Sequence, residues 1–224
     1  MKKRISSLFL AVVLLQSCVS TEEAAKIVKP GEIEKVGYFS ATSYISMVEK
    51  GNNGSHNEEM SREAAARIDS LVKVQSQTFR VQASLSPEGD ALAAKVDKEI
   101  EALLLQVMNR RRAYNVTLSP TIDSLMEASG ERFALTILSS GFSRVKGNYG
   151  GQVAKGIGVG ILTLGMYTPL PIKANSTLHA MVFDAKNNTV ALYKRSQLLD
   201  KEPMDQKVMT KQVNFLLSSL LMAK

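Results

Sequence analysis

Apolar residues recur every three or four positions in four parts of the chain, and this spacing predicts amphipathic helices. Two of these helices are expected to begin at Ser86-Pro87 and Ser119-Pro120, because serine caps free N–H groups and proline suits the first turn. The other two are expected to begin at Ser61 and near Pro203, and Gly130 is expected to end the third helix. The expected buried stripes are Ala64, Ile68, Leu71 and Val72, then Leu92, Val96, Ile100, Leu103 and Val107, and finally Met209, Val213, Leu216 and Leu220.

Between these helices, aromatic and β-branched residues predict strands. The expected strands cover residues 35–45, 132–144, 177–184 and 189–194, with a polar loop at 51–59 and an ambiguous stretch at 75–83. The segment 132–144 is apolar on both faces, as a central strand covered on both sides would be. The last two strands flank a short turn rich in Asn, which predicts a β-hairpin. Together these elements predict an α/β or α+β domain, in which a mixed β-sheet is layered with amphipathic helices.

The first residues of the chain have the pattern of a secretory signal peptide. Three basic residues at positions 2–4 precede an unbroken apolar run from Leu8 to Leu15. Spanning the hydrocarbon core of a bilayer takes about 20 apolar residues, so this run is too short for a retained transmembrane helix. We therefore expect residues 1–17 to be removed after export.

The end of this signal resembles the lipobox of bacterial lipoproteins, in the form found in Bacteroidetes. The residues that carry the resemblance are Leu15-Gln16-Ser17-Cys18. It implies cleavage between Ser17 and Cys18, acylation of the Cys18 sulfur and acylation of the new N-terminus. Cys18 is the only cysteine in 224 residues, and a free thiol would be a liability in an oxidising compartment. The alternative is a chance cysteine at the end of an ordinary signal peptide.

This signal sets the expected domain organisation. Residues 1–17 form the signal peptide, residues 18–34 a lipidated flexible tether, and residues 35–224 one globular domain. Removing the signal leaves 25 basic against 21 acidic side chains, a net charge of +4, which does not indicate nucleic-acid binding. The expected location is the bacterial cell envelope at the outer membrane, on either its periplasmic face or the cell surface, with a protein partner there.

The C-terminal hairpin carries a second resemblance. Met181-Val182-Phe183-Asp184-Ala185-Lys186 has the order apolar strand, Asp, short polar turn, and a second apolar strand follows it. Over residues 132–222 this arrangement resembles envelope lipoproteins related to the curli-secretion lipoprotein and to the activators of penicillin-binding proteins. The resemblance implies a scaffold or partner in envelope assembly, and not an enzyme.

Candidate catalytic residues are few. Two histidines and one cysteine exclude a zinc site built from Cys and His, although a site built from carboxylates stays possible, and no motif indicates a cofactor. His179 is expected on a strand face with Met181 and Phe183, as a half-buried histidine with its hydrogen bonds satisfied. Ser139-Ser140-Gly141 lacks the Gly-x-Ser-x-Gly elbow of a hydrolase, which argues against a triad with His179 and Asp184.

Three consecutive arginines are expected at the C-terminal end of the second helix. Arg110, Arg111 and Arg112 there face the negative end of the helix dipole. They form either a solvated helix end or a surface contact for anionic glycans or lipid headgroups.

Residues 147–165 contain seven glycines. Their spacing fits neither the dinucleotide-binding fingerprint nor a phosphate-binding loop, since Ile161 stands where the third glycine of the fingerprint would be. We expect the segment to pack within the soluble domain, as a helix or turn whose glycines allow close approach to the sheet. The alternative is a pore-forming hairpin contributed by each subunit of a ring.

Three functional hypotheses remain open from the sequence. The leading one is a membrane-anchored, non-catalytic binding or assembly module. The second is a hydrolase of envelope glycan or peptide, which would need converging carboxylates such as Asp123, Glu127 and Asp184. The third is a subunit of an oligomeric secretion device. Two carboxylates facing each other in one pocket would favour the second hypothesis over the first.

Overall fold

The computed structural model describes residue 28 and residues 32–85, 87–110, 116–164, 166 and 171–221. These residues form six α-helices and seven strands of one mixed sheet, which confirms the expected fold class. The helices are α1 Glu58–Val74, α2 Ser76–Phe79, α3 Asp90–Arg110, α4 Pro120–Ser129, α5 Asn148–Leu162 and α6 Gln206–Leu221. The strands are β1 Val36–Tyr38, β2 Thr42–Lys50, β3 Asn53–His56, β4 Val81–Ser84, β5 Phe133–Arg144, β6 Asn175–Asp184 and β7 Thr189–Leu199.

The sheet is built around β5, the strand expected to be central. β6 pairs antiparallel with β5 on one side, and β7 extends the sheet beyond β6. On the other side, β1 and β2 both run parallel to β5, one after the other along the same edge. β4 lies parallel beside β1, and β3 lies antiparallel beside β2.

The expected single strand over residues 35–45 is wrong, because β1 and β2 are separated at residues 39–41. We call this interruption the strand break. From the pair Tyr38↔Leu135 to the pair Thr42↔Leu138, the chain advances four residues while β5 advances three. One extra residue is therefore accommodated here, as in a β-bulge, and it reverses which side chains face each side of the sheet.

The polar loop expected at residues 51–59 also differs from the structure. Part of it forms β3, which pairs with residues 46–50 of β2 through a tight turn. Gly51 in this turn has a φ of 62°, a conformation that glycine adopts without strain. All four residues of β3 are exposed, so the strand has no apolar alternation by which the sequence could have indicated it.

Helices cover both faces of the sheet and enclose two separate cores. On one face, α1 and α6 pack against Leu135, Ile137 and Val182. On the other face, α3 and α4 pack against Leu138, Met181 and Phe183. β5 contributes to both cores because it is covered on both sides, which explains its continuous apolar sequence. The domain therefore has three layers, in the order helices, sheet, helices.

The expected helix stripes are confirmed, whereas several helix starts are not. Among the stripe residues, Leu71 and Leu92 are partly exposed and the others are buried. α4 has the predicted cap, since Ser119 Oγ accepts a hydrogen bond from the Ile122 N–H at 3.3 Å, and Gly130 ends it at a φ of 69°. α1 begins earlier, where Asn57 caps it. α6 begins at Gln206 and not at Pro203, and α3 begins at Asp90, while Ser86 lies outside the described residues.

Asp184 holds the predicted hairpin of β6 and β7 together. Its Oδ1 accepts hydrogen bonds from the Lys186 N–H and Arg132 Nε, both at 3.1 Å. Its Oδ2 accepts from Asn187 Nδ2 at 2.7 Å and Arg132 Nη2 at 3.1 Å. Asn188 completes the turn at a φ of 47°, which Asn tolerates better than most residues. The fully buried Asp184 carboxylate thus ties the hairpin to the start of β5.

The glycine-rich segment forms helix α5 beside β2. Its Asn148 side chain donates a hydrogen bond to the Glu49 carbonyl at 3.1 Å, and Gly156 and Gly160 are buried. At Gly150, Gly151 and Gly158, however, a Cβ atom would meet nothing beyond the helix itself within 4 Å. The expectation that glycines bring this segment close to the sheet is wrong for these three positions.

Replacing Asp184 by Ala should destabilise the domain by about 3 kcal/mol, because two backbone or amide N–H groups and a guanidinium lose a buried acceptor. The matched control is Asp205→Ala, which removes an exposed carboxylate that accepts from the Lys207 and Val208 N–H groups. That change should cost about 1 kcal/mol. Urea unfolding of both variants checks the prediction, and equal losses would contradict the role assigned to Asp184.

Candidate functional site

One end of the sheet face under α3 is open to solvent and forms a groove of about 320 Å³. Its walls come from the C-terminal half of α3 and from Tyr44 of β2. Its floor is formed by the start of β2 and the middle of β5 and β6. We call this cavity the α3 groove, and its lining residues are Thr42, Ser43, Tyr44, Glu101, Leu104, Leu105, Met108, Leu138, Ser139, Ser140 and His179.

The strand break decides which side chains of β2 reach the α3 groove. In an uninterrupted strand, Tyr44 would lie on the same face as Val36 and Tyr38, which belong to the core under α1 and α6. Because the break adds one residue, Ile45 takes that place and Tyr44 turns to the opposite face. The Tyr44 ring stacks on His56 of β3, with centroids 4.2 Å apart.

Apolar side chains of the α3 groove are unusually accessible to solvent. The exposed fractions are 56% for Tyr44, 60% for Leu105 and 43% for Met108. Leu105 and Met108 lie just outside the buried stripe of α3, so the helix buries one apolar row and presents a second one to solvent. Exposed apolar residues gathered around a concavity are typical of binding surfaces.

His179 lies on the floor of the α3 groove. Its hydrogen bond is satisfied, as expected, but the side chain is buried and not half-buried. Its Nδ1 is 2.9 Å from the Tyr193 hydroxyl. Burial, with the nearby charge of Arg195 as a second cause, lowers the pKa of His179 to about 4. The imidazole is therefore neutral at physiological pH. An efficient general base has a pKa near the working pH, and the pKa of His179 lies well below it, so His179 is poorly suited to that role.

The structure does not assemble the hydrolytic groups considered from the sequence. Asp184 lies five residues from His179 along β6, about 16 Å away, and its oxygens accept bonds from Arg132. Asp123, Glu127 and Asp184 are all absent from the lining of the α3 groove. Within the described residues, no three His, Cys, Asp or Glu side chains are placed to hold a metal ion.

Two aspartates that the sequence did not single out support the strand break from opposite faces of the sheet. Asp69 of α1 accepts hydrogen bonds from the Tyr38 hydroxyl and the Ala41 N–H, both at 2.8 Å. Asp97 of α3 accepts from the Thr42 hydroxyl at 3.3 Å. Asp69 thus replaces a backbone partner that the break removes, whereas Asp97 holds the Thr42 side chain at the start of β2.

The environment of these aspartates disfavours their charge. Burial raises the pKa of Asp69 and of Asp97, and the Asp69 charge raises that of Asp97 further. Asp69 also lines a cavity of about 490 Å³ with Tyr38, Ser84 and Lys73, at the carboxyl ends of β1 and β4. Asp97 lines neither this cavity nor the α3 groove, so the two carboxylates do not face each other in one pocket.

Of the remaining predicted site residues, Arg110 alone lies within the described part of the chain. Ser17 and Cys18 lie outside the described residues, as do Arg111 and Arg112, while Arg110 is the last residue of α3. The described helices include none that is long and apolar enough to cross a membrane.

Comparison of the sequence with protein-family models and with curated proteins gives no match. Among solved structures, the chain is similar to the PelC dodecamer from Paraburkholderia phytofirmans, with a TM-score of 0.42, 9% identity and coverage of 92% of this chain and 99% of that chain. It is also similar to a DUF4136 family protein from Bacteroides thetaiotaomicron, with a TM-score of 0.36, 9% identity and coverage of 90% and 95%. For the LpoB C-terminal domain from Salmonella enterica, the values are 0.29, 11%, 78% and 87%. TM-scores this low do not establish a common fold.

His179 should make the domain sensitive to acid. Its folded pKa of about 4 lies below the unfolded value of 6.5, so the folded state binds fewer protons and stability falls as the pH drops from 6.5 to 4. At 1.36 kcal/mol per pKa unit, the loss is about 3 kcal/mol. His179→Gln should remove this part of the loss, as measured by urea unfolding at pH 7 and pH 4.

The control for this experiment is Tyr193→Phe, which removes the hydrogen-bond partner of His179 and keeps the buried imidazole. That variant should be less stable at both pH values and should still lose stability in acid. An acid loss of wild-type size in His179→Gln would show that another group is responsible.

Proposed function

We propose that this protein is a lipid-anchored component of the bacterial cell envelope that binds a protein partner and catalyses no reaction. The observation that carries the proposal is Leu15-Gln16-Ser17-Cys18 after the signal peptide, with Cys18 the only cysteine in the chain. A thioether-linked lipid explains why a single cysteine stands at this position. Two or more acyl chains give stable membrane anchoring, whereas one alone is marginal.

The condition of the candidate catalytic groups supports binding over catalysis. The Asp184 carboxylate is fully buried and bonded to Arg132, and the His179 imidazole is bonded to Tyr193 and neutral at physiological pH. Asp69 and Asp97 accept hydrogen bonds from Ala41 and Thr42, at the strand break and directly after it. These polar groups maintain the fold, which leaves them poorly placed to act on a substrate.

The α3 groove supports a protein partner in particular. Its exposed residues, Tyr44, Leu105 and Met108, are of types that suit a protein interface, where aromatic residues and methionine are enriched. A concave apolar site of this kind accepts an aromatic or aliphatic anchor residue from a partner. The hydroxyl groups of Thr42 and Ser140 at the floor offer hydrogen bonds that would orient such a segment.

Replacing Cys18 by Ser should abolish metabolic labelling of the protein with palmitate and release it from the membrane fraction, because the acylated sulfur is lost. Cell fractionation and labelling measure both effects. As a control, Ser20→Cys in the Cys18→Ser chain restores a thiol two residues later and should restore neither. Labelling that persists in Cys18→Ser would refute the lipid anchor.

Replacing Leu105 by Arg should abolish capture of the partner in crosslinked cells, because a charge in the α3 groove removes the apolar contact. The matched control is Val74→Arg, which places the same charge at the end of α1, where Val74 is 82% exposed. Capture equal in the two variants would exclude the α3 groove as the binding site. Hydrolysis of an envelope glycan or peptide by the purified protein would contradict the absence of catalysis.

A further inference from the structure

Helix α5 exposes an apolar side that no part of the described structure covers. The exposed fractions are 51% for Ile157, 71% for Ile161 and 85% for Leu162. Just after the helix, Leu164 is 90% exposed and Met166 is 85% exposed. Ile157 and Ile161 are four residues apart and therefore neighbours on one side of the helix. Apolar residues that are exposed singly are normal, but a continuous group indicates a surface that contacts something else.

The charged side chains of the segment that contains α5 have one sign, although Asp200 lies beside Lys173 and accepts its backbone N–H at 2.8 Å. Between Val145 and Ala174 the sequence contains three lysines and no aspartate or glutamate. The lysines are Lys146, Lys155 and Lys173, and all three are exposed. An apolar helix side bordered by lysines is the combination found in helices that lie in a membrane interface, where anionic headgroups attract the lysines.

We propose that the exposed side of α5, defined by Ile157, Ile161, Leu162 and Leu164, lies on the surface of an anionic phospholipid bilayer. This contact rests on the proposed function, since it would be a second, peripheral contact beside the lipid on Cys18. The anchor keeps the domain close to the membrane, so a weak contact suffices because the binding is effectively intramolecular.

Charge favours a bilayer over a second copy of the chain at this surface. Two copies packed through α5 about a twofold axis would bring the lysines of one subunit towards those of the other, and like charges across an interface oppose association. An anionic bilayer instead offers a complementary charge to all three lysines.

The contact is compatible with the length of the tether between Cys18 and the domain. β1 and β5 are parallel, so the N-terminal side of the domain and α5 are at opposite ends of β5, about 36 Å apart. The ten residues from Cys18 to Val28 span at most about 36 Å when extended. An extended tether therefore just covers this distance, so Cys18 and α5 can reach the same bilayer.

The test uses the full lipidated chain in vesicles, with one engineered cysteine carrying a fluorophore that responds to polarity. Acylation blocks the sulfur of Cys18, so the probe labels only the engineered position. In phosphatidylglycerol vesicles, a probe at Ile161→Cys should shift to the blue and become severalfold less accessible to an aqueous quencher. In phosphatidylcholine vesicles, or at high salt, the protection should fall.

The controls are probes at Leu105→Cys and Val74→Cys, which are exposed on opposite faces of the sheet, so one bilayer cannot cover both. Protection at Ile161→Cys that is no greater than at both controls would overturn the inference. Protection that appears in phosphatidylcholine vesicles and grows with protein density would also overturn it, because it indicates a second copy on α5.

The outcomes separate the inference from the proposed function. If Cys18 carries no lipid, the unmodified chain takes up the probe at Cys18 and does not float with vesicles, and the anchor itself fails. If the chain floats while the Ile161 probe stays accessible to the quencher, the anchor stands and the α5 contact alone is refuted. In a Lys155→Glu variant that floats normally, loss of quencher protection for the probe at Ile161→Cys would support the attraction between the lysines and the anionic headgroups.

Discussion

One additional residue between Tyr38 and Thr42 determines which face of the sheet each side chain of β2 takes along the edge of β5. Side chains alternate along a strand, so a one-residue excess exchanges the inside and the outside for the remainder of the strand. Ile45 is completely buried under α1 as a result, and Tyr44 opens onto the other face. The same excess leaves backbone groups without partners, and the Asp69 carboxylate accepts from the Ala41 N–H. Burial raises the pKa of that carboxyl, so the support comes with a penalty on its charged form.

The strand break and the two-sided sheet depend on each other. β5 can pair with β1 and β2 in succession only because both run parallel to it along one edge. α1 and α3 approach that edge from opposite faces, and each contributes one aspartate to the break. The helix layers thus do more than cover apolar surface. Asp69 of α1 also supplies an acceptor for a backbone N–H at the break, and Asp97 of α3 holds the Thr42 side chain beside it. The α3 groove lies directly beside this bulge.

Features set by neighbouring residues could be predicted from the sequence, and features set by distant partners could not. The cap at Ser119 and the end at Gly130 involve groups within one turn, and the predictions for both are confirmed. The burial of β5 follows from its own composition. By contrast, Asp69 bonds residues 28 and 31 positions away, and nothing near it in the sequence distinguishes it from a solvated helix residue. The sequence gives a weak indication that Leu105 and Met108 form an exposed apolar surface, because both are apolar residues outside the buried stripe of α3.

The order in which the strands join β5 has a consequence for how the chain folds. β1 and β2 lie in the first quarter of the chain and pair with a strand that lies more than ninety residues later, at Phe133–Arg144. Contacts so distant in sequence form slowly, because a long loop must close before they contribute to stability. The N-terminal third of the chain cannot complete its sheet until β5 is present. For the exported lipoprotein that we propose, this delay would keep the chain unfolded while it crosses the inner membrane, and the fold would be completed only after the central strand has emerged on the far side.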